Sequence, residues 1–117
     1  MSPFLLGAGA PRIAPAGPLP FTKTRASMTL NESNYIVIAE KGPGTAAVRL
    51  TLPAANAANA GRTYVIRNVD VDLLSADVAP AGGDLIETKP SLPIKRQSSV
   101  TLVADGEGEW RVINGTV

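Results

Sequence analysis

The sequence predicts an all-β protein: a compact sandwich or barrel, or a short β-solenoid-like domain, of about 7–8 short strands, preceded by an extended Pro-rich N-terminal arm. Three observations carry this. Segments of alternating apolar and polar residues recur from residue 34 to the C-terminus, separated by Gly, Pro, Asn and Asp. No stretch has the 3.6-residue apolar spacing of an amphipathic helix. Five of the ten prolines fall within residues 1–26, at 3, 11, 15, 18 and 20.

Residues 1–26 are expected to form neither a helix nor a central strand, because proline lacks the N–H and fixes φ. Their composition is also unlike that of a solvated linker. Phe4, Leu5, Leu6, Ile13, Leu19 and Phe21 are apolar, and Arg12 is the only charge before Lys23. Disordered tails are polar and charged, so spaced apolar anchors on an extended segment point to docking on another surface. The competing reading folds the same segment back over its own core. The first ten residues lack a basic leader region, so the chain is not expected to begin with a signal peptide.

The β-domain is expected over 27–117. Asn34-Tyr-Ile-Val-Ile-Ala39 is rich in β-branched and aromatic residues and reads as a strand, closed by a turn at Lys41-Gly-Pro-Gly-Thr45. In Ala47–Leu52 the side chains of Val48, Leu50 and Leu52 share one face, and Pro53 ends the strand. Ala54–Asn59 is small and uncharged, bracketed by Pro53 and Gly61; a compact loop or a single turn is expected. Arg62–Asn68 follows as a strand with Tyr64 and Ile66 on one face. Between Val69 and Val78 the alternation slips by one residue, which places a bulge or bend near Leu73–Leu74. Pro80–Asp84 is a turn and Asp84–Thr88 a short strand. Ser91–Ile94 is an edge strand, because Pro93 cannot donate to a ladder. Gln97–Val103 is a strand with Val100 and Leu102 inward, Asp105–Gly108 a hairpin turn, and Glu109–Asn114 the last strand, with Trp110 and Val112 on one face.

The composition excludes several chemistries. The chain of 117 residues has no Cys and no His, which removes disulfides, thiolate metal sites and the commonest general base. Eleven basic residues against ten acidic ones leave no basic excess for nucleic acid. No apolar run is long enough for a membrane-spanning helix. Leu6-Gly-Ala-Gly9 has too little chain before it and too many prolines after it to be a dinucleotide fingerprint, and Lys41–Thr45 lacks the GK[ST] ending of a phosphate loop. The acidic pairs Asp70/Asp72 and Asp105/Glu107/Glu109 follow no calcium-loop spacing and suit an exposed strand face and a turn. Lys95-Arg96, with Lys89 nearby, is the only basic concentration and reads as a solvated loop or a patch for an acidic partner. Trp110 is expected to be an anchor of the core or of a trimer axis, or else a ligand platform. No catalytic, cofactor-binding or metal-binding residue is expected, no cofactor is implied, and the chain is not expected to be an enzyme.

Residues of about 48–114 also carry a pattern: Leu50-Thr-Leu-Pro53, Gly61-Arg-Thr-Tyr-Val-Ile-Arg-Asn68, Ala79-Pro-Ala-Gly-Gly-Asp84-Leu-Ile86, Ser99-Val-Thr-Leu-Val-Ala-Asp-Gly106 and Glu109-Trp110. This resembles a β-rich module of trimeric bacteriophage structural proteins, of the head-decoration, head-fibre, tail-fibre and tail-spike type. The resemblance implies a β-rich homotrimer and brings no catalytic residues. The chain departs from fibres in having one module, no shaft, and the apolar arm. The expectation that follows is a capsid decoration (cement) protein on the virion surface, made in the host cytoplasm. Its partner would be the major capsid protein of a tailed phage, held by Phe4, Leu5, Leu6, Ile13, Leu19 and Phe21. The domain would trimerise and build its core on Leu50, Leu52, Tyr64, Ile66, Val100, Leu102, Trp110 and Val112. The alternative is a short tail-fibre or tail-tip adhesin that recognises a host glycan through exposed Asn residues and Trp110. No nucleic-acid or membrane partner is expected under either.

Overall fold

A computed structural model describes residues 18–40, 48–69 and 76–115, and in it the chain is all-β. Ten strands are described: β1 (Phe21–Thr24), β2 (Met28–Thr29), β3 (Ile36–Ala39), β4 (Arg49–Thr51), β5 (Thr63–Asn68), β6 (Ala76–Ala79), β7 (Leu85–Ile86), β8 (Leu92–Ile94), β9 (Ser98–Ala104) and β10 (Glu109–Gly115). The sequence predicts fewer. The two additional strands, β1 and β2, lie where apolar alternation gives no signal. Phe21 and Lys23 are exposed while Thr22 and Thr24 are half-buried, and β2 is only two residues long.

The strands form two sheets. One has six strands in the order β1-β3-β5-β9-β10-β7, and the other has four in the order β2-β4-β6-β8. Strands β1, β3 and β5 are mutually parallel, as are β2, β4 and β6. Each winding of the chain thus lays one strand in each sheet, in the manner of a β-solenoid. The windings differ in length: Phe21 to Ile36 to Val65 is 15 and then 29 residues (36 − 21; 65 − 36) along one sheet. Met28 to Leu50 to Val78 is 22 and then 28 (50 − 28; 78 − 50) along the other. A solenoid with unequal windings leaves no fixed sequence period. The last four strands end this progression. β8 runs antiparallel to β6, β9 antiparallel to β5, and β10 returns along β9 with a register shift between Val112 and Asn114.

The period-2 alternation read from the sequence decides what is buried. Rows of inward side chains run across the ladders: Thr22–Val37–Ile66–Val100 in the larger sheet and Met28–Leu50–Val78–Leu92 in the smaller. These faces pack on each other as one apolar cluster that also takes in Leu30, Leu52, Tyr64, Ile86, Ile94, Leu102 and Trp110. Pro93 sits in β8, the edge of its sheet, where its missing N–H costs no ladder bond. Ala57–Asn59 forms a single 3-10 turn, the compact connection expected between β4 and β5. The expected bulge at Leu73–Leu74, the turn at 41–45 and the acids Asp70 and Asp72 lie outside the described residues.

Candidate interaction surface

Pro53, Gly61, Tyr64, Asn68, Asp84, Asp105 and Trp110 of the phage-type pattern serve the fold itself. Pro53 ends β4, and its carbonyl accepts the Trp110 indole N–H at 3.3 Å. Ala55 is fully buried, its N–H bonded to a carboxylate oxygen of Asp84 at 2.8 Å and its C=O to the N–H of Gly108 at 2.8 Å. The loop after Pro53 is therefore tied to the turn before β7 and to the β9–β10 turn. Gly61 has φ +85° and donates its N–H to Ala104, starting the β5–β9 ladder. Tyr64 is fully buried, lies against Trp110 with ring centroids 5.6 Å apart, and donates its hydroxyl to Asn31 C=O at 2.9 Å. Burial raises the Tyr64 pKa above the usual tyrosine value, with the Arg62 charge opposing the shift. Asn68, 2% exposed, donates its amide to Ile94 C=O at 3.0 Å and so ties β5 to β8 of the other sheet.

The acidic turn residues are spent similarly. One carboxylate oxygen of Asp105 accepts the N–H groups of Glu107 and Glu109 at 2.7 and 3.1 Å, an Asx-type turn that Gly106 completes at φ +84°. Glu87 accepts the N–H of Val112 at 2.9 Å. Backbone N–H donors, from Val112 for Glu87 and chiefly from Glu107 for Asp105, hold both carboxyls below the usual range; the Arg111 guanidinium adds to this. Arg111 lies 3.2 Å from Glu87, 3.2 Å from Glu109 and 3.8 Å from Asp105. These carboxylates hold a turn and an edge strand together. Arg49 and Asp77 form an ion pair across β4 and β6 on the exposed face of the smaller sheet.

Leu50, Leu52, Tyr64, Ile66, Val100, Leu102 and Trp110 are buried within one chain, and Val112 packs against them half-buried. Trp110 is fully buried, so it offers no face to a sugar and the platform role is corrected: its ring is enclosed by its own core. Of the docking residues, Phe4, Leu5, Leu6 and Ile13 lie outside the described residues. Leu19 and Phe21 are described and are exposed, 42% and 62%. Lys89, Lys95 and Arg96 are exposed in the turns after β7 and β8, and no ion pair among the described residues uses them.

Sequence reasoning does not reveal the surface that the register creates around Phe21. Phe21, Ile36, Val65 and Thr101 stand in one row across β1, β3, β5 and β9 on the outer face of the larger sheet; Lys23, Ile38, Arg67 and Ser99 form the next. Ile36, Ile38 and Val65 are half-buried there. At the β1 end, Lys23 and Arg25 both approach Glu40, at 3.7 and 3.2 Å. The result is an apolar ribbon beginning at β1, the edge strand of the sheet among the described residues, directly after the Pro-rich segment. Comparison with protein-family models, with curated proteins and with solved structures returned no match, and no family is assigned.

Proposed function

We propose that this chain is a virion structural protein: a capsid decoration (cement) protein of a tailed phage that binds the major capsid shell through its N-terminal segment. One observation carries the reading. Pro53, Gly61, Tyr64, Asn68, Asp84, Asp105 and Trp110 of the phage-type pattern serve turns and core, while large apolar side chains that the core leaves exposed, Leu19 and Phe21, stand where residues 1–17 join the domain. A fold whose described turn carboxylates and buried polar groups are committed to its own architecture suits a mechanical task better than a catalytic one. Phe4, Leu5, Leu6, Ile13 and Leu19 would bind neighbouring shell subunits. A homotrimer would engage three such segments at once, and linked binding raises overall affinity by orders of magnitude over one segment alone. Bridging adjacent subunits adds contacts that expansion or internal pressure must break.

Locating the protein on the virion tests this reading. Gold-labelled antibody against the domain should mark the capsid shell of intact particles in electron micrographs. Label confined to the tail or its tip would overturn the decoration role.

A further inference from the structure

The two edges of the six-stranded sheet differ in character, and they match each other. At the β1 edge, the carbonyls of Pro20 and Thr24 accept the N–H groups of Ile36 in β3 and of Glu40 just after it. In a parallel ladder alternate residues face the neighbour, so the N–H and C=O groups of Phe21 and Lys23 point away from the sheet and have no strand beside them among the described residues. The Phe21 ring is exposed at this edge. Among the described residues, Lys23, Arg25 and Arg67 outnumber Glu40 on this half of the sheet. At the opposite edge, Leu85 of β7 and Ile113 of β10 are exposed, at 37% and 60%. There Glu87, Asp105, Glu107 and Glu109 outnumber Arg111 and Lys89. The edges are separated by five strand spacings, on the order of 24 Å, so one chain cannot bring them together.

From this we infer that the β1 edge of one copy packs against the β7–β10 edge of a second copy: Phe21 beside Leu85 and Ile113, and the basic half of one sheet beside the acidic half of the next. Such a contact is heterologous, and repeated around an axis it closes a ring. The inference gives a surface to the oligomer in the proposed function and rests on that part of the reading alone.

Complementation between two variants tests the geometry. Phe21→Asp removes the β1 side of the contact and Ile113→Asp the β7–β10 side; both positions are exposed, and Trp110 fluorescence verifies that each variant is folded. By light scattering on a sizing column, full-length wild type should have a multimeric mass and each variant alone a monomeric mass. An equimolar mixture should give a dimer, because one intact edge of each kind remains. Monomeric wild type overturns the inference, as does an Ile113→Asp variant that keeps the wild-type mass, the outcome expected of β1–β1 pairing. An unchanged mass for Phe21→Asp, the outcome if residues 1–17 of the same chain cover β1, overturns it too, as does a mixture that stays monomeric. Shell binding is a separate measurement. Monomeric protein that decorates shells would refute the ring and leave decoration standing, and a ring that ignores shells would do the reverse.

Discussion

Replacing Asn68 by Asp tests whether the two sheets are tied through a buried amide. The side chain is 2% exposed, and its N–H donates to Ile94 C=O at 3.0 Å. Asp has almost the same shape but, when ionised, places an oxygen where the donor stood. The hydrogen bond itself is worth about 1 kcal/mol. An ionised carboxylate at this position would also be a charge taken out of water and set against the Ile94 carbonyl oxygen, and the protein avoids that by raising its pKa. A rise of about three units corresponds to ~4 kcal/mol at about 1.36 kcal/mol per unit. At pH 7 the substitution should therefore cost about 4–5 kcal/mol, a large part of the ~5–15 kcal/mol that holds a typical domain. The sign with pH follows from the raised value. Stability relative to wild type is retained below the ordinary Asp pKa and lost as pH rises through the folded-state value. Near pH 4 the neutral carboxyl can donate its O–H to Ile94, and the penalty should shrink to about 1 kcal/mol. Urea unfolding at pH 4 and pH 7, followed by Trp110 fluorescence, reads both quantities. A variant within about 0.5 kcal/mol of wild type at pH 7, or one whose penalty grows on acidification, would refute the inter-sheet role.

Trp110→Ala empties the centre of the core and ends the Tyr64 ring contact; it should cost about 3–5 kcal/mol and leave no cooperative thermal transition by circular dichroism above about 37 °C. Gly106→Ala should destabilise by about 1–3 kcal/mol, because φ is +84° and a Cβ there would lie 2.8 Å from the Ala60 Cβ; denaturant midpoints check this. Glu87 and Asp105 have lowered pKa values in the fold, so their contribution is complete above the ordinary carboxylate range and is lost as pH falls below about 4. Wild-type unfolding midpoints should then be flat from about pH 7 to about 5 and fall below that, and Glu87→Gln should flatten the fall.

The sequence reveals the inward face almost residue by residue, because burial on one side of a strand writes itself as alternation. Val48, Leu50 and Leu52, then Tyr64 and Ile66, then Val100 and Leu102, are all buried in the structure. It also shows the turns, where Gly61 and Asp105-Gly106 are demanded by local geometry. What it hides is pairing. Nothing local in Phe21-Thr-Lys-Thr24 marks a strand, because an edge strand that contributes only Thr22 and Thr24 inward has no apolar pattern to display. The parallel windings are hidden for a related reason: their unequal lengths leave no repeat. Consequently the outer row Phe21–Ile36–Val65–Thr101 is a product of register, assembled from residues up to 80 positions apart (101 − 21). Asn68 reads as one more strand residue in the sequence, and only the second sheet places the Ile94 carbonyl beside its amide.

The proposed role stands most directly on one binding measurement. Full-length protein and a version lacking residues 1–17, which keeps β1 intact, are each mixed with undecorated capsid shells of the phage and sedimented. With both versions shown to be folded by Trp110 fluorescence, the full-length protein should pellet with shells to saturation and the truncated one should stay in the supernatant. Equal occupancy by the truncated protein, or no pelleting of the full-length one, would contradict docking through the N-terminal segment.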